Sequence, residues 1–504
     1  MGYYKTFMKS SAFLYFLIGI LCLLLACLAK DYDFDLFARL IVGDHFYQTG
    51  WISYEDFLSY TPTHIWHDHE WGSSIVFYTF LKLFGPFGLI LIHSIAMFFT
   101  VFFVTKTQQL QKHAYPVSLL FITVFTLFFA HLNPSIVRCH MFSFMFFSMT
   151  LYMLEKTRLT NSNILWLFPF ITIIWNNLHG GVVSGIGMIF IYMIGAILTK
   201  KTWRKYFYVL ILSGGLLTIN PYGIDYITFL LSANTMARTY ITEWWPVFAQ
   251  RHILYYFPTF CIIAFAILLT CTKLYKKENF NLTKIMALLV TAYLGTFHVK
   301  LLSITLIVIA SLYYNDIIRL VNKSVIKNMQ KAITIGILIS MFYIPFTDFN
   351  TPRVKNNKFP YKEVEFLRIN NIYGNILTSF GFGSYVSYKL YPKNKIFMDG
   401  RYEEVYSDRE FNALMDYELI NDNWDDILYN YPTQILLPEK INPIYSHLQK
   451  QPDWEEVYTG DAAGVFLRKN RNTNKGPFVL PSDDTKHYQS ILFEKFGKFG
   501  VIDS

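Results

Sequence analysis

Two carboxylates and an arginine stand close together near the start of the chain, in the order Asp33-Phe-Asp35-Leu-Phe-Ala-Arg39. A second dense stretch follows at His67-Asp68-His69-Glu70-Trp71. Carboxylates at this density can act as a general base or hold a divalent cation. Asp33, Asp35, His67 and Glu70 are the candidate metal ligands. His67 and His69 are two residues apart and do not share a helical face, unlike the histidines of helical zinc sites. Further along stand Arg138 and His140, then Asn176, Asn177 and His179, then Glu243-Trp244-Trp245, and finally His298 with Lys300. Cations of this kind, with Arg39 and His69, can neutralise a phosphate or pyrophosphate, arginine through its two-pronged geometry. Each piece also has a plainer reading. Asp-x-Asp can be a solvated loop, Arg138 and His140 can anchor lipid headgroups, and Asn176-Asn177 can end a helix.

The elements that must position these residues are set by composition. Of 504 residues, 53% are hydrophobic and only 16% charged, and mean hydropathy is +0.30. Soluble proteins carry about 25% charged residues, so a chain this long and apolar reads as a membrane protein. Aromatics at 19% fit interfacial anchors. The five cysteines (22, 27, 139, 261 and 271) have no metal or redox spacing, and no disulfide framework is expected. The net charge of +9 gathers in short connectors, a topology signal and not a nucleic-acid footprint. Collagen, disorder and nucleic-acid binding are excluded.

A span needs about 20 apolar residues. On that rule about eleven spans are expected, near 11–29, 86–105, 115–131, 141–155, 163–176, 182–199, 206–220, 254–272, 285–297, 301–314 and 332–346. Lysines and arginines mark alternate connectors, beginning with Lys5 and Lys9 and ending with Arg319 through Lys331. The positive-inside rule places these connectors and the N-terminus in the cytoplasm and the C-terminal region outside. The acids, histidines and cations named above then fall on the outer side. Polar groups at that level usually line a cavity, so an outward-opening polar hollow is expected, suited to a lipid-linked phosphosugar.

From about residue 348 charged residues become frequent and no run is long enough to span. Strands at 375–380, 395–398 and 433–437 alternate with helices from Ser384 and near 409–419, and a hairpin is expected over 454–458 and 464–467. This alternation predicts an α/β sheet domain. Gly381 and Gly383 read as a tight turn, and Asp399-Gly400-Arg401 as a turn after a buried strand. The expected division is therefore a multi-pass transmembrane domain over 1–347, with its first outer loop at about 30–85, and an extracytoplasmic α/β domain over 348–504.

The order of one span, an outer loop opening on Asp33, Asp35 and Arg39, many spans and an exported α/β domain resembles the GT-C superfamily of polyprenyl-phosphate-dependent glycosyltransferases. Asp33 followed six residues later by Arg39 is similar to the acidic opening motif of oligosaccharyltransferase catalytic subunits. The stretch through Gly43, Gly50, Asp56-Phe57, Ser59-Tyr60-Thr61 and His69-Glu70-Trp71, with Met398-Asp399-Gly400-Arg401-Tyr402, is similar to poorly characterised bacterial multi-pass members of that superfamily. The resemblance implies a mainly α, GT-C-like membrane glycosyltransferase of the cell envelope. Asp33 would be the acceptor-activating base, aided by Asp35 and Glu70. Arg39, His69, Arg138, His140, His179 and Lys300 would bind the donor phosphate. A polyprenyl-phosphate sugar and the lipid bilayer are the expected partners, a divalent cation the candidate cofactor. No Trp-Trp-Asp motif stands in the tail, so peptide N-glycosylation is not supported, and lipid, polysaccharide or protein remain open as acceptors. A flippase, or a ligase or polymerase of lipid-linked glycans, is the rival reading.

Overall fold

A computed structural model of the chain describes residues 11–29, 32–61, 63–111, 118–133, 137–235, 238, 240–278, 281–342, 358–469, 477–484, 487–488 and 492–493. Lys5, Lys9, Asp31 and Lys112 lie outside the described residues. The chain divides into two compact units, Met1–Ala29 with Ile90–Asp348, and Lys30–Leu89 with Phe349–Ser504.

The first unit is helical. Among the described residues, three helices are long and apolar enough to cross a membrane: Ser11–Leu28, Pro86–Gln109 and Ile253–Tyr275. This corrects the expectation of about eleven spans. The remaining apolar runs form helices, but Leu119–Leu132, Ile164–Leu178, Val182–Leu198, Leu282–Phe297 and Val299–Leu312 are each 10–17 residues long. They end at Asn133, His179, Thr199 and His298, where polar side chains or extended backbone stop the helix. Lys323–Met341 reaches 19 residues but carries three lysines in its first half. Packing follows the apolar faces. Leu17, Ile20 and Leu21 meet Leu119 and Ile337 in one buried cluster.

The 21-residue helix His140–Thr160 is about 31 Å long at 1.5 Å per residue. It therefore separates two polar groups. His140 starts it, and near its other end Arg158 pairs with Glu155, which also accepts from Tyr192 Oη at 2.7 Å.

The second unit combines the first loop with the C-terminal region around a five-stranded sheet. The strands are β1 (Gly374–Thr378), β2 (Asn394–Ile396), β3 (Ile435–Leu437), β4 (Trp454–Thr459) and β5 (Gly464–Arg468), in the order β2-β1-β3-β5-β4. β1 pairs in parallel with β2 and β3, while β3–β5 and β4–β5 are antiparallel. Parallel strands buried on both faces read as continuous apolar runs, as Ile435-Leu436-Leu437 does. The helix Asp408–Leu419 begins on a capping box between Ser407 and Glu410.

The first loop completes this unit. Residues 58–61 lie along the free edge of β2: Ser59 bridges Ile396 in parallel, Tyr60 N donates to Ile396 O at 3.0 Å, and Ile396 N donates to Leu58 O at 3.1 Å. An open edge is an aggregation hazard, and the loop covers it. The helix Asp35–Thr49 packs through Phe37 on Phe359, Tyr385 and Tyr388. It also lies tightly on the helix Trp71–Phe84, where a Cβ at Gly43 would overlap Ser74 O and Tyr78 Cβ.

Candidate active site

The helix Asp35–Thr49 carries the opening motif. Asp33 Oδ1 accepts a hydrogen bond from Asp35 N at 3.0 Å, and both acids are half-buried at the helix start. One turn on, Arg39 is only 2% exposed. Its guanidinium pairs with Asp68, with Glu404 Oε2 at 3.2 Å and with Glu70 Oε2 at 3.7 Å. His69 Nδ1 lies 3.0 Å from Glu404 Oε1, and Trp66 Nε1 donates to Glu404 Oε2 at 2.8 Å. The sequence order explains how these side chains converge. Asp68 Oδ1 accepts from Glu70 N at 2.9 Å, a local turn that leads into the helix Trp71–Phe84.

Charge is unevenly held in this cluster. Burial pushes the Asp68 carboxyl up to about 6 against the pull of Arg39, with Glu404 adding to the rise. Burial also opposes ionisation of Glu404, but Arg39, His69 and Trp66 outweigh it and hold this carboxyl at about 2. Glu404 is thus the settled partner of Arg39, and Asp68 is the group nearest to taking a proton.

One ligand atom each from His69, Glu70 and Glu404 lies within 4.8 Å of the others. An imidazole and two carboxylates are a fitting donor set for a divalent cation, and Arg39 offsets only part of the carboxylate charge. Of the expected ligands, Glu70 belongs to this group, whereas Asp33, Asp35 and His67 are not among its members. Glu404 was not foreseen; its only sequence signal is its place just after Asp399-Gly400-Arg401.

That tripeptide is a second buried cluster. Arg401 Nη1 lies 2.7 Å from Asp56 Oδ1, its Nε 2.9 Å from Asp399 Oδ1, and its Nη2 donates to Tyr406 Oη at 3.2 Å. Tyr406 is also bonded to Ser59. Burial would raise Asp56, but Arg401, Ser59 and a backbone amide hold it below its usual value, while burial leaves Asp399 raised. A Cβ at Gly400 would overlap Asp35 Oδ1, so only a glycine lets this turn approach the acid so closely. The turn expected after a buried strand is present, and it also grips the first loop. Gly383 packs against Met398 O and Asp399, which accounts for the glycine there without a phosphate.

The remaining candidates lie in the helical unit. The charges of Arg138, His179, Lys300 and His93 bear on His140, and His93 is not among the expected ligands. Arg138 pairs with both carboxylate oxygens of Glu243. Burial would raise Glu243, but Arg138 and Lys300 hold it below its usual value. Lys300 Nζ stands 4.4 Å from the ring centre of Trp244, and Arg238 stacks on the same ring at 4.1 Å. His179 Nδ1 is 2.7 Å from Ser143 Oγ, which also accepts from Trp175 Nε1 at 2.7 Å.

No protein-family profile matches the chain, and no curated protein sequence matches it. Solved structures do. The chain is similar to the Archaeoglobus fulgidus oligosaccharyltransferase in its apo form, with a TM-score of 0.57 at 8% identity, over 86% of this chain and 70% of that one. The fold is of the oligosaccharyltransferase kind. The same archaeal enzyme tethered through a disulfide bond to an acceptor peptide containing the NVT sequon matches with a TM-score of 0.55 over the same shares.

Proposed function

We propose that this protein is an integral membrane glycosyltransferase that moves a sugar from a polyprenyl-phosphate-linked donor to a lipid, polysaccharide or protein acceptor on the outer face of the membrane. The observation that carries this reading is the meeting of Arg138 and Lys300 at one connection, where Arg138 pairs with Glu243 and Lys300 stands 4.4 Å from the ring centre of the next residue, Trp244. Arginine and lysine side chains, which only donate, are what a phosphate requires. The oligosaccharyltransferase-like fold supports the same reaction class by analogy.

In this reading Asp33 takes the proton of the acceptor hydroxyl as its oxygen bonds to the anomeric carbon. The bond from that carbon to the donor phosphate oxygen breaks, and the phosphate leaves with the electron pair. Within the helical unit, Arg138 and Lys300 are suited to bind the phosphate of a lipid-linked donor. The Asp35 backbone N–H orients Asp33 by donating to its Oδ1, and Arg39 holds Glu70 and Glu404 in place. A divalent cation held by His69, Glu70 and Glu404 would add positive charge to the site.

The test is sugar transfer in proteoliposomes from a radiolabelled undecaprenyl-phosphate sugar. Asp33→Asn should abolish transfer while the protein still inserts and melts like wild type. Undiminished transfer by that variant would remove Asp33 from the mechanism.

A further inference from the structure

Lys273 and Lys284 stand on different helices of the helical unit, one in the last turn of Ile253–Tyr275 and the other in the first turn of Leu282–Phe297. Their ammonium groups meet at one carboxylate, Lys273 at Oδ1 of Asp316 and Lys284 at Oδ2. Asp316 comes from a third helix, Tyr314–Ile318. Lys284 Nζ also stands 3.8 Å from the ring centre of Tyr313, whose hydroxyl bonds with Thr270 Oγ1 at 3.1 Å. The side chains of Lys273, Lys284 and Asp316 are 32%, 19% and 9% exposed. Both cations are therefore held by partners and still reach the surface.

Two ammonium charges on one carboxylate leave one positive charge over. Lys284 adds to that surplus, because its helix has no acid in the first turn, where the dipole favours an anion. Around the pocket the charge is mostly of one sign. Lys276, Lys277 and Arg319 are exposed within four residues of Lys273 or Asp316, and Glu278 is the acid of the 273–284 connector. Tyr275 and Leu320, 90% and 62% exposed, set apolar side chains beside these cations. Cations next to apolar groups at the end of a span suit a phospholipid, whose phosphate and acyl chains meet at that depth.

We propose that this three-helix pocket binds the phosphate of an anionic phospholipid, with Lys273 and Lys284 as its donors. The inference rests on the membrane reading of the chain and not on sugar transfer. Basic pockets between helices at the inner surface hold anionic headgroups in this way, and on the positive-inside reading this one faces the cytoplasm. A free phosphate shares the charge but leaves Tyr275 and Leu320 uncovered.

The experiment uses the full chain in a neutral detergent and counts retained lipid by native mass spectrometry. Phosphatidylglycerol, phosphatidylcholine and inorganic phosphate are separate arms. Wild type should hold phosphatidylglycerol in preference to phosphatidylcholine. Lys273→Gln should weaken phosphatidylglycerol binding about fivefold, the worth of one lysine near an anionic headgroup. Asp316→Asn keeps the side-chain shape and releases both ammonium groups, so it should bind phosphatidylglycerol more tightly than wild type. Lys201→Gln, at an exposed position on a different connector, should bind as wild type does. Equal binding by wild type and Lys273→Gln overturns the proposal, as does weaker binding by Asp316→Asn. An equal loss in Lys201→Gln would make the attraction diffuse and overturn the pocket. Retention of inorganic phosphate alone would overturn the lipid part. No retention of either lipid by wild type would overturn the membrane reading itself, and this inference with it.

Discussion

Arg401 lies over the indole of Trp66, its guanidinium carbon 4.6 Å from the ring centre. The edge of that same indole donates to Glu404 at 2.8 Å. One tryptophan of the first loop therefore joins the two buried charge clusters of its unit. Asp56, Asp399 and Arg401 stand on one side of it, and Arg39, Asp68 and Glu404 on the other.

Truncating the arginine of this pair should be severe. Arg401→Met leaves Asp56 and Asp399 buried without their cation and should cost about 3–5 kcal/mol, read as a lower denaturant midpoint of the purified chain. Arg401→Lys should not restore the loss, since one ammonium cannot reach Asp56, Asp399 and Tyr406 together as the planar fork does.

Stability should also carry a pH signature from Glu363. This carboxylate is buried and accepts from Ala462 N at 2.9 Å and Ala463 N at 2.7 Å, yet burial pushes its pKa up to about 7. A group raised on folding contributes most below its unfolded value, and the contribution is lost as pH rises from about 4.5 through about 7. Glu363→Gln keeps the acceptor oxygen without the charge. It should match wild type near pH 4 and exceed it above pH 8 by on the order of 2–3 kcal/mol, measured as melting temperature across that range.

Gly400→Ala tests whether the C-terminal region positions the acids of the first loop. The new methyl would push on Asp35. Displacements of about 1 Å at reacting groups can cost about a hundredfold in rate. Transfer should fall at least tenfold with the melting temperature nearly unchanged. Full activity would show that Asp35 has room to move.

Divalent cations should act through the group His69, Glu70 and Glu404. Manganese at 100 times its dissociation constant should stabilise the chain by about 2.7 kcal/mol, seen as a higher melting temperature that chelation reverses. Glu70→Gln should remove the response. A response that survives in this variant would place the cation elsewhere.

Much of the α/β region was legible because its signals are local. The apolar run before Thr378, the capping residues at Ser407 and Glu410, and the turn at Gly460 each fix an element within a few residues. The span count was not legible in the same way. Apolar runs show where helices form, but their ends at Asn133, His179 and His298 leave many helices short of a bilayer's thickness. Phosphate candidates were read from residue type, and of these Arg138 pairs with Glu243 while Lys300 stands over the next residue, Trp244. Arg39, expected to face a phosphate, is instead directed at Asp68, Glu70 and Glu404. Glu404 escaped notice, and the pairing of Arg401 with Asp56 was not read, because those partners lie more than 300 residues earlier and spacing carries no sign of a contact that distant.

The strip at residues 58–61 that borders β2 has a consequence for biogenesis. During translation these residues leave the ribosome more than 300 residues before Ile396, their hydrogen-bonding partner. Throughout that interval the strip has no sheet to join, and the intervening helices must be made first. Maturation of this unit is therefore a late event, and a nascent chain stalled before residue 394 would expose the strip to chaperones and proteases.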